Sequence, residues 1–170
     1  MAGATTAPAG LESSDPYFKE ALVARLEATP ALATRRTLIA WGNPHPKRWA
    51  RETIIIGGTT DRTYRYVAAM TQANEEYDVG LFANFTGPLL NRNADNQRKA
   101  YELATAVEAS LIEWTRAGGH LVDGPWGFVW AAVPNLSPSH DVEGIDKGGR
   151  DASVICTIRV KARLLSHGCT

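Results

Sequence analysis

The sequence predicts an α+β domain: a mainly antiparallel β-sheet packed by a long central helix and an N-terminal helix. Apolar residues recur at helical spacing from about Ala94 to Ala117. In two other segments, 75–87 and 152–165, apolar residues alternate with polar ones, which is typical of strands with one buried face. The resulting order of helices and strands favours a sheet that carries its helices on one face.

The first predicted element is a helix that begins after Asp15 and is ended by Pro30. Asp15 is a good N-cap residue, and Pro16 suits the first helical position. The apolar positions repeat every four residues, at Phe18, Leu22 and Leu26. We therefore expect a flexible N-terminal tail over 1–14, a single α+β domain over 15–166 and a short C-terminal tail over 167–170.

Short strands are predicted after this helix. The first runs from Thr37 to Gly42, and the second runs from Arg51 to the glycine pair Gly57 and Gly58, which we expect to stop it. A weaker strand is predicted over 63–70. A stronger one follows, with one face formed by Tyr77, Val79, Leu81, Ala83 and Phe85.

The second half of the chain begins with the long helix. Its apolar stripe is predicted to contain Ala100, Leu103 or Ala104, Val107, Leu111 and Trp114. A strand over 126–133 and a long Pro-, Gly- and Asp-rich loop over 134–150 follow it. In the closing strand, the inward positions are predicted to be Val154, Cys156, Ile158, Val160, Ala162 and Leu164, and the outward ones Thr157, Arg159, Lys161 and Arg163.

Composition narrows the possible functions. Eighteen basic residues balance eighteen acidic ones, so no net positive charge favours avid binding to nucleic acid or anionic lipid. No stretch approaches the ~20 consecutive apolar residues of a membrane helix. The four histidines and two cysteines lack metal-ligand spacing, and we expect neither a metal nor an organic cofactor.

Motifs of catalysis are weak. The run Ser139, His140 and Asp141 has the residue types of a triad, but adjacent side chains do not line up as nucleophile, base and orienting acid. The glycine pairs form no phosphate-binding loop. We expect the protein not to be an enzyme and both cysteines to be reduced.

The link between the first two strands, Trp41 to Arg51, combines tryptophan and arginine with two X-Pro steps. It is interpreted as a rim loop packed by its tryptophans or as a protein-contact loop, because Trp and Arg dominate interface hot spots. With the long loop and the closing strand, it supplies the candidate contact residues: Trp41, His45, Trp49, Arg51, His140, Asp146, Arg159, Lys161 and Arg163.

From Asp15 to Leu165, the chain resembles the tail terminator proteins of long-tailed (siphovirus-type) bacteriophages, particularly those infecting actinobacteria. The resemblance rests on the order of elements and on the segments WGNP, RETIIIGG, EEYDVGLF, NQRKAYELATAVEASL and GGRDASVICTIRVKARL. It implies an α+β structural protein of the virion that forms a homohexameric ring on the head-proximal end of the tail tube. The implied partners are its own copies, the tail tube protein, a head-completion or neck protein, and genomic DNA that passes through the lumen without sequence-specific binding.

The same resemblance implies assembly in the host cytoplasm and no contact with membranes. Under it, Arg159, Lys161 and Arg163 face either a neighbouring subunit or the ring lumen. One alternative is a head-completion or neck protein of another kind. A second is a small ligand-binding domain or enzyme with its site between the Trp41–Arg51 link and the 134–150 loop.

Overall fold

A computed structural model describes residues 13–42, 50–67, 72–87, 93–116, 122–124, 127–132 and 151–165. These residues form an α+β fold in which helices pack on one face of a mostly antiparallel sheet, as the sequence predicts. In the described part of the chain, no helix or strand packs on the opposite face of the central strands. The described residues therefore form a helix layer on one side of the sheet and leave its other side without a second layer.

Six strands form one sheet among the described residues, in the order β1-β2-β3-β6-β5-β4. Their bounds are β1 Leu38–Trp41, β2 Glu52–Val67, β3 Gln72–Thr86, β4 Val122–Gly124, β5 Gly127–Ala132 and β6 Asp151–Leu165. Strand β1 pairs in parallel with β2, and the other neighbouring pairs are antiparallel. The sequence pattern misses β4, because three residues are too few to show a period.

The helices are α1 Asp15–Glu27, α2 Pro30–Ala33 and α3 Asn93–Arg116. The predicted N-cap of α1 is one residue late, because Ser14 occupies that position and Asp15 is already helical. Ser13 and Ser14 also belong to the folded domain, since both hydrogen-bond to a strand residue, Glu75. The rest of the predicted N-terminal tail lies outside the described residues. Pro30 starts the single turn of α2, and α1 ends before it at Glu27.

The core lies between the helices and the inner face of the sheet, and it confirms the predicted alternation. All five predicted inward positions of β3 and all six of β6 are buried. In α3 the apolar stripe faces the same core, with Trp114 partly buried at its end. Its indole stacks on Phe18 of α1, with ring centroids 6.3 Å apart and an interplanar angle of 6°. This contact joins the two long helices over the sheet.

The predicted division of residues 51–70 into two strands is wrong. Strand β2 is continuous from Glu52 to Val67, and the pair Gly57–Gly58 lies inside it. Its register with β3 shifts twice, once at the glycine pair and once at Asp61–Arg62, where Asp61 has φ 52°. These irregularities insert extra residues into β2 and bend it without ending its pairing. The glycine pair, which the sequence pattern predicts to be a turn, therefore forms a bulge within the strand.

Candidate assembly surface

The outward face of strands β2, β3 and β6, which we call the open face, carries both charged and apolar side chains. Its positions follow from the register of the three strands. They include Ile55, Thr60, Thr63 and Arg65 of β2, Asn74, Glu76, Asp78 and Phe82 of β3, and Ile155, Thr157, Arg159, Lys161 and Arg163 of β6.

Opposite charges meet in register across the middle of the open face. Arg159 pairs with Asp78, and its Nε and Nη2 atoms donate to the two carboxylate oxygens over 2.9 and 3.1 Å. This hydrogen bond raises the pKa of the Arg159 guanidinium. The next pair along the strands is Lys161 and Glu76, with Nζ 3.7 Å from Oε1. Both pairs neutralise their charges locally.

The open face is apolar at the end that contains Ile55, Phe82 and Ile155. Phe82 is 38% exposed and lies in register between Ile55 on β2 and Ile155 on β6. Gly57 lies against the Phe82 ring, since a methyl group added at Gly57 would come within 3.2 Å of ring atom Cε2. An exposed aromatic side chain framed by β-branched residues and glycine is a feature of protein contact surfaces.

Trp41 lies at the edge of the sheet, close to this apolar end. It is 47% exposed, and the Lys19 ammonium lies 5.9 Å from the centroid of its ring. Trp41, Ile55 and Phe82 line one cavity of about 520 Å³. The Trp41 side chain is thus available to a partner molecule.

A buried polar cluster fixes α1 to the sheet. The Glu75 carboxylate is 0% exposed and accepts hydrogen bonds from Ser13 Oγ (2.7 Å), Ser14 N (2.9 Å), Ser14 Oγ (2.7 Å) and Tyr64 Oη (3.0 Å). It takes the role that an N-cap side chain usually has, because it binds an amide at the start of the helix. We call this cluster the helix latch.

Charges around the helix latch are also compensated. The Arg62 guanidinium donates to Asp15 over 2.7 Å and lies over the Tyr77 ring, 5.5 Å from its centroid. Burial opposes the Arg62 charge, but the Glu75 carboxylate and its neighbours raise the pKa of Arg62. Burial, together with the Glu75 charge, raises the pKa of Tyr64, and burial raises the pKa of Tyr77. These groups bond mainly to one another, which identifies the latch as structural. The exception among the described residues is the Arg62 Nε atom, which has no hydrogen-bond partner and lies 3.5 Å from Glu75 Oε1.

The predicted contact residues are only partly brought together. Arg159, Lys161 and Arg163 share the open face, as predicted, with Arg163 half-buried. Trp41 is exposed at the sheet edge, and the Arg51 guanidinium lies 5.2 Å from the centroid of the Phe85 ring. His45, Trp49, His140 and Asp146 lie outside the described residues. So do most of the Trp41–Arg51 link and all of the 134–150 loop.

Several open-face residues were not among the sequence candidates: Arg65, Asn74, Glu76, Asp78 and Phe82. A signal for the acidic ones exists in the sequence. Strand β3 carries Glu76 and Asp78 two residues apart, and β6 carries Arg159 and Lys161 two residues apart. Antiparallel pairing of these alternating charges predicts the two ion pairs once the strands are known to be neighbours.

Among the described residues, no group of three or more His, Cys, Asp or Glu side chains is placed to hold a metal ion. Within the same residues, no helix has the length and apolar character needed to cross a membrane. Comparison with protein-family models gave no match. Comparison with curated proteins gave no match either.

Proposed function

We propose that this chain is a tail terminator of a long-tailed bacteriophage, a non-enzymatic virion protein that caps the head-proximal end of the tail tube. In this role it stops tube polymerisation and forms part of the joint through which DNA leaves the head. The order of helices and strands supports the proposal, because the resemblance to tail terminators rests partly on that order. The proposed partners are copies of itself in a hexameric ring, the tail tube protein and a head-completion protein.

The observation that carries the proposal is the open face. Strands of 15 and 16 residues are long for a domain of this size, and their outward side combines ion pairs in register with an exposed phenylalanine. A face of this kind suits contact with another protein molecule in an assembly. We propose that it forms the contact between neighbouring subunits of the ring.

A terminator must bind the growing end of the tube without reproducing that end. The tube is a stack of rings joined head to tail, an interface that does not close on itself and can continue to grow. A terminator subunit therefore needs one surface for its ring neighbours and different surfaces for tube and head. We assign the ring contact to the open face and the edge contacts to the Trp41–Arg51 link.

Deletion of the gene from its phage tests the proposal directly. Electron microscopy of the lysate is expected to show filled heads without tails beside unattached tubes of variable length. Tails of normal length joined to heads would exclude the terminator role. Tails of normal length that fail to attach would point to a neck protein that acts on the other side of the joint.

A complementation assay tests the assigned surface. A plasmid that supplies the Phe82→Ala variant is expected to restore few plaques although the purified variant melts normally, because Phe82 is exposed and contributes little to the core. Tyr101→Ala is the matched control, since Tyr101 is exposed to nearly the same fraction on the helix layer. Equal complementation by the two variants would remove the open face from the ring contact.

One observation favours a second candidate, a small ligand-binding domain. The cavity beside Trp41 has a volume of about 520 Å³, within the range of ligand pockets, and one of its lining residues is Lys19, whose ammonium is paired with Asp15. A sharp thermal shift with a single small molecule, lost in Trp41→Ala, would support this candidate over the assembly role.

A further inference from the structure

On the open face, residues in register on neighbouring strands form rows across the sheet. Two rows contain the ion pairs Arg159–Asp78 and Lys161–Glu76, and a third row differs from them. Arg65 of β2, Asn74 of β3 and Arg163 of β6 lie side by side, because Asn74 is in register with both arginines. Adjacent strands are ~4.8 Å apart, so the two arginine backbones are separated by ~10 Å. Two arginines therefore occupy the positions on either side of an asparagine on the same face of the sheet.

This row lacks the acidic partner that the other two rows have. Arg159 is paired with Asp78 and Lys161 with Glu76, whereas the middle position of the third row is an uncharged asparagine. Within the described residues, neither Arg65 nor Arg163 has a carboxylate within ion-pair distance. The two arginines thus have no ion-pair partner of their own among the described residues, although Glu76 of the neighbouring row lines the same surface.

The arginines line a cavity, and one of their nitrogens is unsatisfied. A depression of about 340 Å³ is bordered by Thr63, Arg65, Asn74, Glu75, Glu76, Lys161, Ala162 and Arg163. Of its two glutamates, Glu76 is paired with Lys161, and the Glu75 carboxylate accepts the hydrogen bonds of the helix latch. The Arg163 Nε atom is buried and has no hydrogen-bond partner in the described part of the chain. A buried donor without a partner costs about 1–3 kcal/mol, and more when it is charged, so an acceptor bound beside Arg163 would remove that cost. The Nε atoms of Arg25 and Arg62 also lack a hydrogen-bond partner among the described residues, but neither residue lines this cavity.

We propose that Arg65, Asn74 and Arg163 form a binding site for a single oxyanion group, either a free phosphate or a carboxylate. Guanidinium groups bind planar and tetrahedral oxyanions through paired N–H donors, and the Asn74 amide adds a neutral donor between them. The site takes one anionic group and not a nucleic-acid backbone. Glu76 and Asp78 lie in the next rows on the same strand and repel an extended polyanion.

The site is tested with the full-length protein and inorganic phosphate. Titration calorimetry at constant ionic strength is expected to show saturable binding of one phosphate per chain. Arg65→Gln and Arg163→Gln are each expected to weaken that binding about tenfold or more, since each removes one charged fork. Arg159→Gln is the matched control, because it lies on the same strand and face but is already paired, and it should bind phosphate as the unaltered protein does.

A parallel titration with acetate distinguishes the sources of the oxyanion. Binding of acetate with the same loss in the two variants assigns the site to carboxylates as well, whereas binding of phosphate alone assigns it to phosphate.

The proposal is overturned if the unaltered protein binds neither anion, or if both Arg→Gln variants bind as well as the control. It is also overturned if a DNA duplex binds instead and all three substitutions weaken that binding equally, which would indicate a diffuse nucleic-acid surface. Circular dichroism of each variant verifies that the fold is retained.

Discussion

Arg159 and Asp78 form a two-pronged ion pair across the two central strands of the sheet, on the face that no described helix covers. The residue before Arg159, Ile158, points to the opposite side and is 1% exposed. Consecutive residues of β6 therefore lie in contrasting environments, one in the core and the other at the surface. This contrast provides a direct test of how the strand is oriented.

Ile158→Asp is expected to lower the free energy of unfolding by several kcal/mol, because it places an unpaired charge in the apolar layer between sheet and helices. Arg159→Ala is expected to lower it by less than that, because the Arg159 side chain is 55% exposed and its removal places no charge in the core, although it takes two hydrogen bonds from Asp78, which is only 10% exposed. Urea denaturation of both variants measures the difference. Equal midpoints for the two would contradict the orientation of β6.

The helix latch predicts an equally large contrast between two adjacent glutamates. Glu75→Gln should destabilise the domain by about 3 kcal/mol or more, because an amide offers only one acceptor oxygen to the donors that surround the fully buried carboxylate. Glu76→Gln is the matched control, since Glu76 lies on the open face and is partly exposed. The free energy of unfolding of each variant is measured by urea denaturation.

Hydrogen exchange separates a local effect of Glu75→Gln from a global one. If the latch holds the start of α1, the amides of its first turns should lose protection more than those of α3. Uniform loss across both helices would mean that Glu75 supports the core in general and not the attachment of α1.

The glycine pair in β2 predicts a position-specific effect of one added methyl group. At Gly57 a β-carbon would lie 3.2 Å from Phe82 Cε2 and 3.3 Å from the carbonyl oxygen of Gly80, whereas at Gly58 it meets nothing within 4 Å. Gly57→Ala is therefore expected to cost about 1–3 kcal/mol, and Gly58→Ala to be neutral or slightly stabilising. Thermal unfolding of the two variants compares them. A larger loss in Gly58→Ala would place the bulge in a different register.

Sequence periodicity predicted the elements with a buried face and failed where local chemistry is ambiguous. The inward positions of β3 and β6 and the stripe of α3 are correct because burial on one side imposes a strict period. The strand break at Gly57–Gly58 is wrong because glycine marks a bulge as readily as a turn. Which of the two occurs depends on β3, a partner that local sequence does not reveal.

The candidate surface was predictable only in part for the same reason. The outward basic residues of β6 follow from its own alternation, but their pairing with Glu76 and Asp78 depends on strand order. Glu75 reads as an ordinary charged strand residue in sequence, and only the approach of Ser13 and Ser14 from 61–62 residues earlier makes it a buried acceptor. Contacts of that separation are set by topology and not by local pattern.

Cys156 predicts how stability changes in alkaline solution. Burial, with a further contribution from the Glu108 charge, raises the pKa of this thiol from 9.0 to about 11. The thiol ionises in the unfolded chain near pH 9 but stays protonated in the folded chain, so the unfolded state binds fewer protons in this window. The stabilisation is fully present below pH 9 and is lost as pH rises toward 11, with a slope that approaches about 1.4 kcal/mol per pH unit.

Cys156→Val removes this ionisation while keeping an apolar side chain, so its stability is expected to fall less steeply between pH 9 and 11. The measurement is urea denaturation of both proteins at several pH values in a Cys169→Ser background. Parallel curves for the two proteins would show that Cys156 ionises equally in the folded and unfolded states.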